Sequence, residues 1–135
     1  MHSIMPPTLS PSALASVVER AENALANGRN LLIFPEGTRT LTGRLGDFKN
    51  LAFKLSKKTG VPIVPMTICT DVPFFTKFQK TFIPEEFANL SIEFLPHLNP
   101  SDFRDDKVML ATAHRIISRN LRGQLFKKTC QNVEQ

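Results

Sequence analysis

The chain predicts an α/β domain, a partial β-α-β sheet flanked by helices, and three observations carry that expectation. Leu31–Phe34 is an apolar run without alternation, the pattern of a strand covered on both faces of a parallel sheet. Apolar residues at helical spacing lie on either side of it. A second apolar run, Pro62–Cys69, follows the second of these helices, as the return strand of a right-handed parallel crossover would. At 135 residues the chain is long enough for one domain with one core.

Taken in order, residues 1–9 read as a disordered N-terminus. The domain proper covers residues 10–122. Ser10 is a natural N-cap with Pro11 in the first helical position. Leu14, Val17, Val18, Ala21, Ala24 and Leu25 then recur on one face, and Gly28 is the stop. After the strand Leu31–Phe34, Pro35 ends the ladder because it has no N–H to donate. Thr40–Asp47 reads as a loop with Gly43, Arg44 and Gly46. A short helix over Asn50–Lys58 turns Leu51, Ala52 and Leu55 inward and ends at Gly60. Pro65 inside the next strand marks an edge or a bulge.

Residues 71–88 crowd Phe74, Phe75, Phe78, Phe82 and Phe87 around Lys77 and Lys80. They read as a satellite core under a long loop, with a surface for acyl chains or a bilayer as the alternative. Leu90–Leu95 is the third strand, stopped by Pro96. A last helix runs from Ser101 or Asp102 to Leu121, with Val108, Ala111, Ile117 and Leu121 inward. Residues 123–135, from Gly123 on, read as a frayed basic tail.

Hydrophobic content of 41% with 21% charged residues is that of a soluble globular chain. No apolar run reaches the eighteen residues that would span a bilayer. Met1–Pro7 lacks the basic and apolar regions of a signal peptide, and Cys69 and Cys130 read as reduced thiols. The placement that follows is intracellular, peripheral to a membrane. A net charge of +5 suits an anionic partner. No nucleic acid is expected as that partner, the least favoured of the anionic candidates: no binding module is visible, and neither Trp nor Tyr is present for stacking.

The candidate site lies directly after the first strand. Glu36, Gly37, Thr38 and Arg39 follow Pro35, where open α/β sheets place their ligands. Gly37 lets backbone approach a bound group, and Arg39 offers a fork of donors suited to phosphate. Equally consistent with these residues is a surface turn closed by a Glu36–Arg39 ion pair.

Phe34-Pro35-Glu36-Gly37-Thr38-Arg39 resembles the conserved block of the glycerolipid acyltransferases, the 1-acylglycerol-3-phosphate acyltransferase family. Gly46-Asp47-Phe48-Lys49 resembles the family's phenylalanine–lysine element, Val61–Met66 its second proline-bearing strand, and Ile92–Pro96 its later short strand. The chain departs from the family at Asn50 and Leu51, where a basic residue and a glycine are common. The resemblance, over about residues 12–100, implies the C-terminal portion of the glycerol-phosphate acyltransferase fold. It further implies acyl transfer from acyl-CoA or acyl carrier protein to a lysophospholipid, with no other cofactor, in phospholipid biosynthesis. Glu36, Gly37 and Arg39 would hold the glycerol-phosphate end, with Thr38 and Lys49 as further contacts.

That reaction needs a base for the acceptor hydroxyl, which the family supplies as His-x-x-x-x-Asp upstream of the glutamate block. Here the upstream histidine, His2, has Pro7 five positions on. His97 and Asp102 have the spacing but lie downstream, and read as chance; His114 reads as a surface or satisfied histidine. The expectation is an acyltransferase fragment without its catalytic block. Its alternatives are a non-catalytic phosphate- or anionic-lipid-binding module and one half of a two-chain enzyme. A missing N-terminal half would leave hydrophobic strand surface open to self-association.

Overall fold

The computed structural model describes residues 10–38, 44–70 and 89–131, with side chains as far as Gln124. Helix α1 spans Pro11–Ala26. The Ser10 hydroxyl accepts from the Ala13 amide at 3.3 Å, and Pro11 fills the first helical position. At the other end Gly28 (φ 71°) donates to the Leu25 carbonyl and Arg29 to the Ala24 carbonyl, each at 3.0 Å. That pair of reversed hydrogen bonds is the Schellman stop that a glycine in the left-handed region makes cheap.

Helix α2, Leu51–Thr59, ends on Gly60 at φ 76°, with Lys57 and Lys58 in its last turn, where the dipole favours cations. Lys58 meets Glu22 of α1 at 2.6 Å. Lys57 donates to the carbonyls of Pro100 and Phe103, both at 2.8 Å, and so ties α2 to a 3₁₀ turn at Pro100–Asp102. Helix α3 follows, Asp106–Gln131. Asp105 caps it by accepting from the Val108 amide at 2.9 Å; that bond, then the Arg104 guanidinium, holds its carboxyl below the usual aspartate range.

Strands β1 (Met66–Thr70) and β2 (Leu90–Phe94) form an antiparallel pair with Ile68 opposite Ile92. The pairing extends to a bridge between Ile63 and Leu98, bonded in both directions at 3.0 and 2.8 Å. Pro65, which has no N–H, serves only as acceptor, from Leu95 at 2.9 Å. The core is small: Phe53, Leu98, Met109 and Ala113, with Phe48, Ala52, Ile63, Phe103, Leu110 and Ile116 packed around them.

Several expectations are corrected. The α/β class stands, but the sheet among the described residues is a two-stranded antiparallel pair, without the parallel β-α-β unit. Leu31–Phe34 joins no strand among the described residues, and all four side chains are exposed, Phe34 at 57%. An unalternating apolar run reports that a segment suits two-sided burial; it does not supply the neighbours. The buried face of α3 is Met109 and Ala113, with Leu110 and Ile116 beside them; of the predicted set, Val108 and Ala111 are exposed, while Ile117 and Leu121 are half-buried. On α2 the most buried side chain is Phe53, which the helical count passed over. Nor does α3 stop at Gly123; it continues through the predicted tail to Gln131. The readings of residues 1–9 and of the phenylalanine cluster at 71–88 fall outside the described residues.

The strand pair is oriented unusually. Directly opposed residues share a face. One face therefore carries Thr67, Cys69, Ser91 and Glu93 and turns to α3, where the Thr67 hydroxyl donates to Asn120 at 2.8 Å and Gln124 donates to Glu93 at 2.8 Å. The other face carries Met66, Ile68, Leu90, Ile92 and Phe94 and is open, with Phe94 71% exposed. Contiguous apolar surface of this kind promotes association. Light scattering on the 135-residue chain should therefore show concentration-dependent oligomers, and Ile92→Lys or Phe94→Ser should shift them toward monomer. A monodisperse wild-type monomer at high concentration would show that this face needs no cover.

Candidate functional site

The turn after Leu31–Phe34 is built by three hydrogen bonds. Gly37 donates to the Phe34 carbonyl at 3.1 Å, with φ 69°, a left-handed conformation in which a side chain is strained. Lys49 donates through its backbone N–H to the Pro35 carbonyl at 2.7 Å. The Glu36 carboxylate accepts from the Gly46 amide at 2.7 Å through Oε2. The last two draw residues 35–36 and 46–49 together. Arg39 lies outside the described residues, so the Glu36–Arg39 pair has no counterpart to compare; the one oxygen of Glu36 whose partner is seen serves Gly46.

Close approach explains the second glycine. A Cβ on Gly46 would sit 3.1 Å from Glu36 Oε2, tighter than ordinary contact, although its backbone is unstrained. The Lys49 side chain runs past Gly37: a Cβ there would lie 3.6 Å from Lys49 Cγ and 3.9 Å from its Cε. Glu36, Gly37 and Lys49, thirteen positions apart at the extremes, are thus brought together, with exposed Thr38 beside them. Phe48 anchors the group to the core. Its ring stacks on Phe53 with centroids 6.5 Å apart and meets the edge of His114 at 4.8 Å.

His114 is the residue that sequence reasoning left out of the site. From the middle of α3 its Nε2 lies 3.2 Å from the Gly46 carbonyl oxygen. It is indeed a satisfied histidine, but satisfied by the candidate loop. Spacing could not reveal this, because 68 residues separate the partners. His97 and Asp102, in contrast, are both exposed and make no hydrogen bond to each other; the Asp102 carboxylate accepts from Ser101 at 3.5 Å. No described helix is long and apolar enough to cross a membrane.

The arrangement offers a carboxylate clasp with the Lys49 side chain beside it, and the intervening sequence carries two further bases, Arg39 and Arg44. The family profile described as Acyltransferase matches residues 8–69. A chloroplastic 1-acyl-sn-glycerol-3-phosphate acyltransferase of Brassica napus is 42% identical over 60 residues, 44% of this chain and 17% of its own length. That of Limnanthes alba is 31% identical over 114 residues, 82% of this chain and 39% of its own length. The crystal structure of the 1-acyl-sn-glycerophosphate acyltransferase PlsC of Thermotoga maritima superposes with a TM-score of 0.67 at 25% identity, covering 83% of this chain and 44% of that one. The chain thus spans less than half the length of these relatives. Over that span, sequence and fold agree: the chain belongs to the glycerolipid acyltransferase family, that of the 1-acyl-sn-glycerol-3-phosphate acyltransferases.

Proposed function

We propose that these residues form the acceptor-binding portion of a lysophospholipid acyltransferase, which takes the phosphate end of a lysophosphatidate while an acyl group is transferred from acyl-CoA or acyl carrier protein. The observation that carries this reading is the junction closed by the Glu36–Gly46 and Pro35–Lys49 bonds, where Glu36, Gly37 and Lys49 meet. Glu36 acts chiefly on the backbone: a carboxylate repels phosphate, but its bond to Gly46 holds that segment against the turn that Lys49 passes. Gly37 supplies the left-handed turn. Arg39 and Lys49 engage phosphate oxygens, Arg39 through two parallel N–H bonds. Thr38 adds a hydroxyl donor at the same rim.

The proton acceptor comes from elsewhere, in a longer polypeptide or a second chain. Such an arrangement also gives the open apolar face of β1 and β2 something to pack against, which favours a half-domain over a self-contained binding module. The site works at a membrane surface, where a basic loop meets anionic headgroups and the product enters phospholipid biosynthesis.

Titration of lysophosphatidate, and of glycerol 3-phosphate as its soluble head, into wild type and Arg39→Ala by calorimetry tests the proposal. Arg39→Ala should weaken binding between about tenfold and a hundredfold, the worth of one strong charged hydrogen bond. Equal affinities would relegate Arg39 to structure. Salt-sensitive binding to anionic liposomes that ignores Arg39 would mark a nonspecific membrane-surface module instead.

A further inference from the structure

We infer that His114, on α3, is a positioning residue of the acceptor loop. This rests on the reading of Glu36, Gly37 and Lys49 as acceptor-binding residues. Gly46 is held on both sides of its α carbon. Its N–H donates to Glu36 Oε2 at 2.7 Å, and its carbonyl oxygen lies 3.2 Å from His114 Nε2. A carbonyl oxygen only accepts, so Nε2 carries a proton here, in the neutral Nε2–H tautomer or the imidazolium alike. With both bonds made, the two soft dihedrals of Gly46 are set, and the glycine that alone lets Glu36 approach has one conformation.

The histidine is itself held in place. Its ring stands edge-on to Phe48 at 4.8 Å and 69°, and Phe48 stacks on the core residue Phe53. Ala113, next to His114 on α3, and Met109, five residues before it, are buried in the same cluster. The core is thereby connected to the carboxylate clasp through Phe48, His114 and Gly46, with Lys49 immediately following Phe48. His114 does not touch the acceptor; it determines where Glu36 and Lys49 stand when the acceptor arrives. Without it, the loop neck keeps the Glu36–Gly46 bond but samples more conformations, and binding must order them.

The test uses the 135-residue chain with His114→Ala and His114→Gln, the second keeping an N–H donor at similar reach. Two quantities are read: hydrogen exchange at the Gly46 amide, and affinity for glycerol 3-phosphate. In His114→Ala, Gly46 exchange should quicken about fivefold and affinity fall about fivefold, the worth of one neutral hydrogen bond. Amides of Phe53 and Met109 should exchange as in wild type, and His114→Gln should recover most of both losses. Unchanged Gly46 exchange in His114→Ala overturns the inference, as does a glutamine variant no better than alanine. Faster exchange throughout the core, or loss of the fold, also overturns it, by making His114 a general packing residue. If wild type does not bind glycerol 3-phosphate, the acceptor reading fails, while the Gly46 exchange still decides whether His114 holds the loop.

Discussion

Purified as these 135 residues, the chain is expected to acylate lysophosphatidate no faster than the uncatalysed mixture when given acyl-CoA or acyl carrier protein. General-base catalysis is typically worth about 10²–10⁴-fold, and an unpositioned base forfeits it. His97 and Asp102 have the family's spacing but no mutual hydrogen bond, and both face solvent. His114 is at the loop, but its Nε2 proton is given to a backbone carbonyl, which leaves that nitrogen no lone pair with which to take another. Thioester consumption with lysophosphatidate present is the measurement. Turnover that disappears in His97→Ala would establish a base on this chain and refute the prediction; turnover restored by adding a segment with a His-x4-Asp pair would support it.

The second large effect concerns the fold. Phe53→Ala is expected to cost about 3–5 kcal/mol, the range for removing a buried aromatic ring. Phe53 is only 2% exposed and lies in the cluster with Met109, itself fully buried. Natural domains hold only about 5–15 kcal/mol in all, and this chain leaves much of its apolar surface open, so the variant should be largely unfolded at room temperature. Phe94→Ser provides the contrast: the ring is 71% exposed, and its loss should leave the unfolding free energy within about 0.5 kcal/mol of wild type. Circular dichroism during urea titration would measure both. A Phe53→Ala variant within 1 kcal/mol of wild type would mean that the Phe53–Leu98–Met109–Ala113 cluster is not what holds the helices together.

These two phenylalanines also show why the face of an element is harder to read than its extent. Both occur in short apolar stretches, and composition does not distinguish them. In β2 the apolar alternation Leu90, Ile92, Phe94 points away from α3, and the polar alternation of β1 and β2 meets it through Thr67, Asn120, Gln124 and Glu93. Period two specifies that the strand has two unlike faces; which one is covered depends on what else packs there. The same holds for Leu31–Phe34, whose pattern asks for cover on both sides and which has none among the described residues.

By itself the sequence determined what depends on near neighbours. Ser10 and Pro11 start α1, Gly28 stops it, and Gly60 stops α2, because capping and left-handed turns are decided within four or five residues. It also determined the family, since Phe34–Arg39 is a contiguous block, and with it the α/β class. Tertiary structure alone decided the antiparallel pairing of β1 with β2, the packing of Met109 and Ala113 of α3 on Phe53, the clasp of Glu36 on Gly46, and the reach of His114 to the same glycine across 68 residues. Each of these is a contact between segments distant in the chain. A local pattern states what a side chain can do, and only the closure of the loops between segments places a partner within about 3 Å of it.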